Sequence, residues 1–348
     1  MQKIFFIMST DDYSGAEAVN FSIIDHLKDK YDFYWVSKKG NINNFLKEKN
    51  IKWIEINELN IKEIKRIVRD YRPNILHATD FKASVICSLA HTKIPLIEHL
   101  HNNAPWIKKI NVNSIAFLYA ALKAKTILTV SDSIEKEYCF SKIIRKKFDC
   151  VGNPISCDSI LEKIPNNNYK KKYDVCCVAR LTAAKNPLKF INIIEKLKNN
   201  FPKIKVVWVG KGELEDECKI TIDKKNLNNN IKFAGFQKNP YKYMAQSKIF
   251  MLTSDWEGFG LVAFEAMTLG LPCVVSNVGG LNMIVDKSCG KLCTNENDFI
   301  EEARLLLTNE EIYKEKATAA IKKSKNIDNV VNYMNKLSEI YDQVSKGV

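Results

Sequence analysis

Apolar residues recur along this chain in two rhythms: short unbroken runs, and longer stretches in which they return at the three-to-four spacing of a helix face. The runs predict strands at 4–8, 32–37, 53–56, 75–78, 95–99, 126–130 and 149–151, then at 174–179, 205–209, 231–234, 249–253, 272–276 and 290–293. Helix-periodic segments fill the gaps. Parallel neighbours need a crossover long enough for a helix, so this alternation argues an α/β protein with parallel sheets. Between the two series, Ile164-Pro165-Asn166-Asn167-Asn168-Tyr169-Lys170-Lys171-Lys172 is polar, proline-bearing and without periodicity, as a linker is. It divides the chain into a first domain over 1–165 and a second over 170–329. After them Val330, Val331, Tyr333, Met334, Leu337, Ile340 and Tyr341 predict one apolar stripe on a terminal helix. No internal repeat is visible.

Length agrees with two domains, since 348 residues exceed what one hydrophobic core usually fills and a 46% hydrophobic content suffices for two. The formal charge of +13 is shared by both halves, so no single arm carries it. A basic surface favours polyanions, here a nucleotide diphosphate or an anionic leaflet. Nucleic acid is disfavoured, because no stretch interleaves aromatic and basic residues as a recognition motif would. The 10 cysteines include no C-x-x-C pair, and Cys176-Cys177 sit inside an apolar run where thiols act as small hydrophobes. Reduced thiols point to a cytoplasmic protein. The apolar start is too short for a signal peptide, and no run approaches a membrane span, so the expectation is a soluble protein or one peripheral on the inner face of the membrane.

The densest chemistry lies in Ser254-Asp255-Trp256-Glu257-Gly258-Phe259-Gly260-Leu261-Val262-Ala263-Phe264-Glu265-Ala266-Met267. A strand precedes it, and Gly270-Leu271-Pro272 ends the helix it opens. The glycine turn therefore sits at the carboxyl edge of a sheet with free N–H groups, the usual place for a phosphate. Taken alone, each glutamate could simply complement the helix dipole. Together, this segment resembles the Glu-x7-Glu signature of retaining glycosyltransferases of the GT-B fold, family 4, and the resemblance extends over the whole chain. It implies two Rossmann-like domains facing across a cleft, with the helix of about 330–348 returning to the first.

Other segments resemble motifs of the same family. Arg180-Leu181-Thr182-Ala183-Ala184-Lys185 is similar to its Arg-Leu-x3-Lys element, whose cations hold the donor diphosphate; Arg offers a planar fork and Lys a compact charge. Gly210, in Val209-Gly210-Lys211-Gly212, and Phe236, after Gly235, match loops that approach the nucleotide, the second beside the base. Ser14-Gly15-Ala16-Glu17 resembles a Gly-Gly-Ala-Glu turn that lets Gly15 approach the diphosphate, with Ser14 in place of the first glycine and less freedom at positive φ expected there. In Glu98-His99-Leu100-His101-Asn102 the resemblance assigns His101, with His99 in reserve, to the donor sugar or acceptor; a structural histidine is the alternative, and no third ligand nearby supports a metal. His77 is read as structural. Val278-Gly279-Gly280-Leu281-Asn282-Met283 resembles a Gly-Gly-x-x-Glu loop, with Met283 where the Glu is expected.

What the resemblance implies for function is a metal-independent, retaining transferase without a cofactor, moving a sugar from a nucleotide diphosphate sugar, UDP favoured, to a glycan or lipid-linked glycan in surface-polysaccharide assembly. Glu257 would orient donor hydroxyls, Glu265 would accept from the ribose, and Gly258, Phe259, Gly260 and Leu261 would cradle phosphate. Residues 106–125 read either as a core helix with a basic rim or as a segment at the membrane surface. A nucleotide-sugar epimerase on the same fold and a non-catalytic sugar-nucleotide-binding subunit stand as the alternatives.

Overall fold

A computed structural model describes residues 1–164 and 169–346. Pro165 to Asn168, within the expected linker, and the last two residues lie outside the described residues. The chain forms two compact units, one of Met1–Pro154 with Asn329–Val348, the other of Ile155–Asp328.

In the first unit, strands β1 (Gln2–Ile7), β2 (Tyr31–Ser37), β3 (Lys52–Glu55), β4 (Ile75–Ala78), β5 (Leu96–Leu100), β6 (Thr126–Thr129) and β7 (Phe148–Cys150) form one sheet in the order β3-β2-β1-β4-β5-β6-β7. Every pairing is parallel. Covered by helices, such strands read as apolar runs rather than alternations, and Ile4 to Ile7 and all of β5 are buried. Trp35 stacks on Phe21 of the helix Gly15–Leu27 at 4.9 Å.

The terminal helix Val330–Lys346 packs on this first sheet. Tyr341 places its hydroxyl 2.8 Å from His77 Nδ1, and the Tyr31 hydroxyl donates to Asp342 Oδ1 at 2.6 Å. Its buried stripe is Tyr333, Met334, Leu337, Ser338 and Tyr341. Val331, counted on that stripe by its hydrophobicity, is 68% exposed, because the i, i+3, i+4 geometry of the helix carries it to the opposite side.

The second unit holds β8 (Tyr173–Val178), β9 (Val206–Val209), β10 (Ile231–Phe233), β11 (Ser247–Leu252), β12 (Cys273–Ser276) and β13 (Gly290–Cys293), ordered β10-β9-β8-β11-β12-β13 and again all parallel. Cys176 and Cys177 lie fully buried in β8. The division between units comes earlier than the expected boundary at 165. The helix Cys157–Leu161 belongs to the second unit, tied there by Cys157 N donating to Asp328 Oδ2 at 2.7 Å and by Cys157 Sγ 3.7 Å from Thr268 Oγ1. Ile155, Ile160 and Ile164 are buried as well. Composition marked the polar stretch, whereas burial of the apolar residues before it set the division.

Candidate functional site

In the second sheet the chain runs outward from β8 to β9 and β10, then returns to β11 and runs outward the other way through β12 and β13. The switch point lies between β8 and β11, and crevices outside the carboxyl ends of strands at such a point are where open α/β sheets bind ligands. Arg180 follows β8, Gly210 follows β9, Phe236 follows β10 and Glu257 follows β11, all at that carboxyl edge. The fold brings these predicted residues to one edge although their spacing along the chain is wide.

Lys185 and Glu257 meet across the switch point in a hydrogen-bonded ion pair, their side chains 18% and 13% exposed. Ser254 Oγ donates to the same Glu257 oxygen at 3.2 Å. The two loops that deliver the pair are clamped together. Asp255 N donates to the Ala184 carbonyl at 2.9 Å, Thr253 Oγ1 to the carbonyls of Lys185 and Asn186 at 3.1 Å each, and Asn186 Nδ2 to both Asp255 oxygens at 3.1 and 3.0 Å. Asn186 sits at φ 44° and caps the helix Pro187–Asn200, accepting from Lys189 N at 3.1 Å. Sequence reading passed over this clamp of Thr253, Ser254, Asp255 and Asn186; Asn before Pro at a helix start was the available signal. Arg180 is exposed and makes no side-chain hydrogen bond or ion pair among the described residues.

After Glu257 the chain turns through Gly258 and Phe259 to Gly260 at φ 94°, which caps the helix Leu261–Thr268. The backbone N–H groups from 258 to 262 have no acceptor among the described residues. Unpaired donors with the positive end of a helix dipole form an anion cradle. The loop after β12 holds this turn in place: Gly280 N donates to the Gly258 carbonyl at 3.1 Å, and a Cβ on Gly279, at φ 54°, would stand 1.6 Å from the Glu257 carbonyl oxygen. Gly210, at φ 140°, likewise admits the chain just after β8, since a Cβ there would meet the Ala179 carbonyl oxygen at 2.0 Å. Met283 is 44% exposed beyond this contact, so replacing the expected glutamate leaves the loop's packing intact.

Glu265, in the same helix, is half-buried, and burial pushes its carboxyl up to about 7 against the opposing pull of Lys163 and the Tyr241 hydroxyl, which donates to it at 3.3 Å. Phe236 stands 49% exposed beyond β10, a free aromatic face near the edge.

The first unit has its own switch point, between β1 and β4. Gly15 opens the helix Gly15–Leu27, where Ser14 and Glu17 form a capping box and Thr10 Oγ1 donates to Glu17 Oε1 at 2.8 Å. Ser14 lies at φ −144°, extended backbone that any residue adopts, so the expected loss of freedom there does not arise. His101 follows β5 half-buried, its Nε2 without a partner and its ring pushed down to about 3 by burial. His99 lies tilted against the His101 ring at 4.1 Å between ring centres and hydrogen-bonds to His77 Nε2 at 3.2 Å. Three rings therefore meet where the sequence showed two. Among the described residues no group of three His, Cys, Asp or Glu is arranged to hold a metal ion.

Residues 159–327 match the family described as Glycosyl transferases group 1. The chain is 25% identical over 360 residues, covering 95% of it and 97% of the relative, to the N-acetylgalactosamine-N,N'-diacetylbacillosaminyl-diphospho-undecaprenol 4-alpha-N-acetylgalactosaminyltransferase of Campylobacter jejuni. It is 25% identical over 311 residues to the UDP-Gal:alpha-D-GlcNAc-diphosphoundecaprenol alpha-1,3-galactosyltransferase of Escherichia coli, covering 81% and 80%. Among solved structures, Anabaena HepE in complex with UDP and glucose aligns over 98% of this chain and 100% of its own with a TM-score of 0.85 at 20% identity, which establishes the fold.

Proposed function

We propose that this chain, whose residues 159–327 match the glycosyl transferases group 1 and whose fold is the GT-B fold of HepE, transfers a sugar from a UDP-sugar to a lipid-linked glycan with retention of anomeric configuration and without a metal ion. The observation that carries this reading is the Lys185–Glu257 pair at the switch point beside the open N–H cradle of 258–262. An ammonium has three N–H groups, so Lys185 can keep Glu257 and still meet a phosphate oxygen. With Arg180 and the helix N-terminus it supplies, fixed in advance, the positive potential the departing diphosphate requires. Gly210 allows backbone to approach the nucleotide, and Phe236 flanks the base.

In this scheme the acceptor hydroxyl attacks the face from which UDP leaves, the C–O bond to the new acceptor forms as that to phosphate breaks, and a leaving phosphate oxygen takes the hydroxyl proton. No enzymatic nucleophile is needed, in contrast with retaining glycosidases. Glu257 orients donor hydroxyls through its free oxygen, Glu265 accepts from the ribose, and neutral His101 contacts donor sugar or acceptor. The diphospho-undecaprenol substrates in the names of the two relatives and the UDP bound to HepE support the choice of acceptor and donor, and surface polysaccharide as the product class.

The test incubates the purified protein with UDP-sugars and an undecaprenyl-diphosphate sugar, following product by mass spectrometry and its anomeric configuration by NMR. Glu257→Ala should lower transfer more than about 100-fold while UDP binding is largely kept. Unchanged transfer by this variant would remove Glu257 from its role. A sugar isomer formed without acceptor would mark an epimerase, and binding without turnover a partner subunit.

A further inference from the structure

The helix Val112–Lys123 turns an apolar face outward. Phe117, Ala120 and Ala121 fill the first unit's core together with Ile107. Val112 is 83% exposed, Ile115 52% and Leu122 52%, with Ile110 just before them at 72%. Positions 112, 115 and 122, with the half-buried Tyr119 between, recur at the spacing of a single helical stripe. Among the described residues, every other helix exposes at most one large apolar side chain to this degree. The reading of 106–125 as an ordinary core helix therefore leaves Ile110, Val112, Ile115 and Leu122 unaccounted for: the core takes one side of the helix and leaves a second apolar side uncovered.

Charge selects what covers it. No acidic residue occurs between Glu98 and Asp132, while Lys108, Lys109, Lys123 and Lys125 border the stripe. Lys109 and Lys123 are exposed, and Lys123 lies 5.8 Å over the Tyr119 ring; Lys108 is 3.4 Å from Glu137. At the helix C-terminus Lys147 donates to the carbonyls of Leu122 and Ala124 at 2.6 and 2.7 Å, adding a further cation at that end. An isologous contact with a second copy would set these lysines against their own counterparts, whereas anionic headgroups complement them and acyl chains cover the apolar stripe. No described helix is long and apolar enough to cross a membrane, so the contact lies in the interface plane.

We propose that Ile110, Val112, Ile115 and Leu122, flanked by Lys109 and Lys123, form a docking face for an anionic lipid bilayer. This deepens the lipid-linked acceptor reading and rests on it only for its biological purpose. The probe is co-sedimentation of the full chain with acceptor-free vesicles of phosphatidylcholine, with and without about one third phosphatidylglycerol, at low and high salt. Wild-type protein should bind the anionic vesicles, lose much of that binding at high salt, and bind pure phosphatidylcholine weakly. Val112→Ser with Ile115→Ser should reduce binding about tenfold or more, and Lys109→Gln with Lys123→Gln should remove most of the salt dependence. Thermal unfolding and UDP binding unchanged in both variants establish that the fold is intact. Equal binding by the serine variant, or none by wild type, overturns the proposal. So does a wild-type dimer that the serine variant converts to monomer, which would give the face to a second copy. Since no sugar is transferred in this assay, a failure here leaves the transfer reaction standing, and failure of transfer leaves vesicle binding standing.

Discussion

Replacing Glu265 by Gln should stabilise the second unit at neutral pH and weaken the donor. Burial raises this carboxyl from 4.5 to about 7. Below 4.5 the group is neutral in folded and unfolded chains alike. Between 4.5 and 7 the folded protein holds a proton that the unfolded chain has released, so stability declines as pH rises through that window and levels off above it. The full interval corresponds to on the order of 3 kcal/mol, and solvent on the exposed side of the half-buried group reduces this toward ~2 kcal/mol. Gln is neutral at every pH and keeps the shape, so at pH 8 the variant's transition should lie several degrees higher, at about 2–4 °C per kcal/mol, and the gap should close by pH 4.5. Donor binding moves the other way. If only the carboxylate accepts from the ribose, UDP should bind wild type roughly tenfold more weakly at pH 6 than at pH 8 beyond the change that its own terminal phosphate imposes, and the Gln variant should bind weakly with only that phosphate dependence. The three neighbouring site histidines of the first unit cannot supply that pH response, because burial holds each of them below the range. Thermal unfolding from pH 4.5 to 8 with UDP titration by calorimetry measures both effects. Equal wild-type affinity at pH 6 and 8, or no gain in stability at pH 8, would refute the assignment.

Lys185→Ala should weaken UDP binding by about 10- to 100-fold, the worth of a charge-assisted hydrogen bond, read by calorimetry; affinity within twofold of wild type would remove Lys185 from the phosphate site. Gly279→Ala forces a Cβ toward the Glu257 carbonyl at a left-handed backbone position and should cost about 2–4 kcal/mol together with UDP binding; a denaturant melt at wild-type position would show that the loop contact is dispensable. Transfer should be unchanged in EDTA, and a loss that Mg2+ or Mn2+ restores would replace the cationic neutraliser proposed here with a metal.

Much of this protein was determined by its sequence alone. Each strand lies within a residue or two of an apolar run, because strands buried on both faces tolerate little else. The segment from Ser254 to Met267 is legible for a related reason: a strand end, a glycine turn and a helix start are local events, and their residues are contiguous. Three features were decided only by tertiary structure. Lys185 and Glu257 are far apart in sequence, and their pairing follows from β8 and β11 being neighbours at the switch point, which hydrophobic periodicity does not encode. Glu265 owes its proton affinity near neutrality to the surroundings that bury it, although its helix position predicts an ordinary acid. Ile115 and Phe117 are equally apolar by composition, and only the packing of the helix Val112–Lys123 sends one outward and the other into the core. Local pattern fixes what an element is; the neighbours it meets fix which face they cover and which charges they bring together.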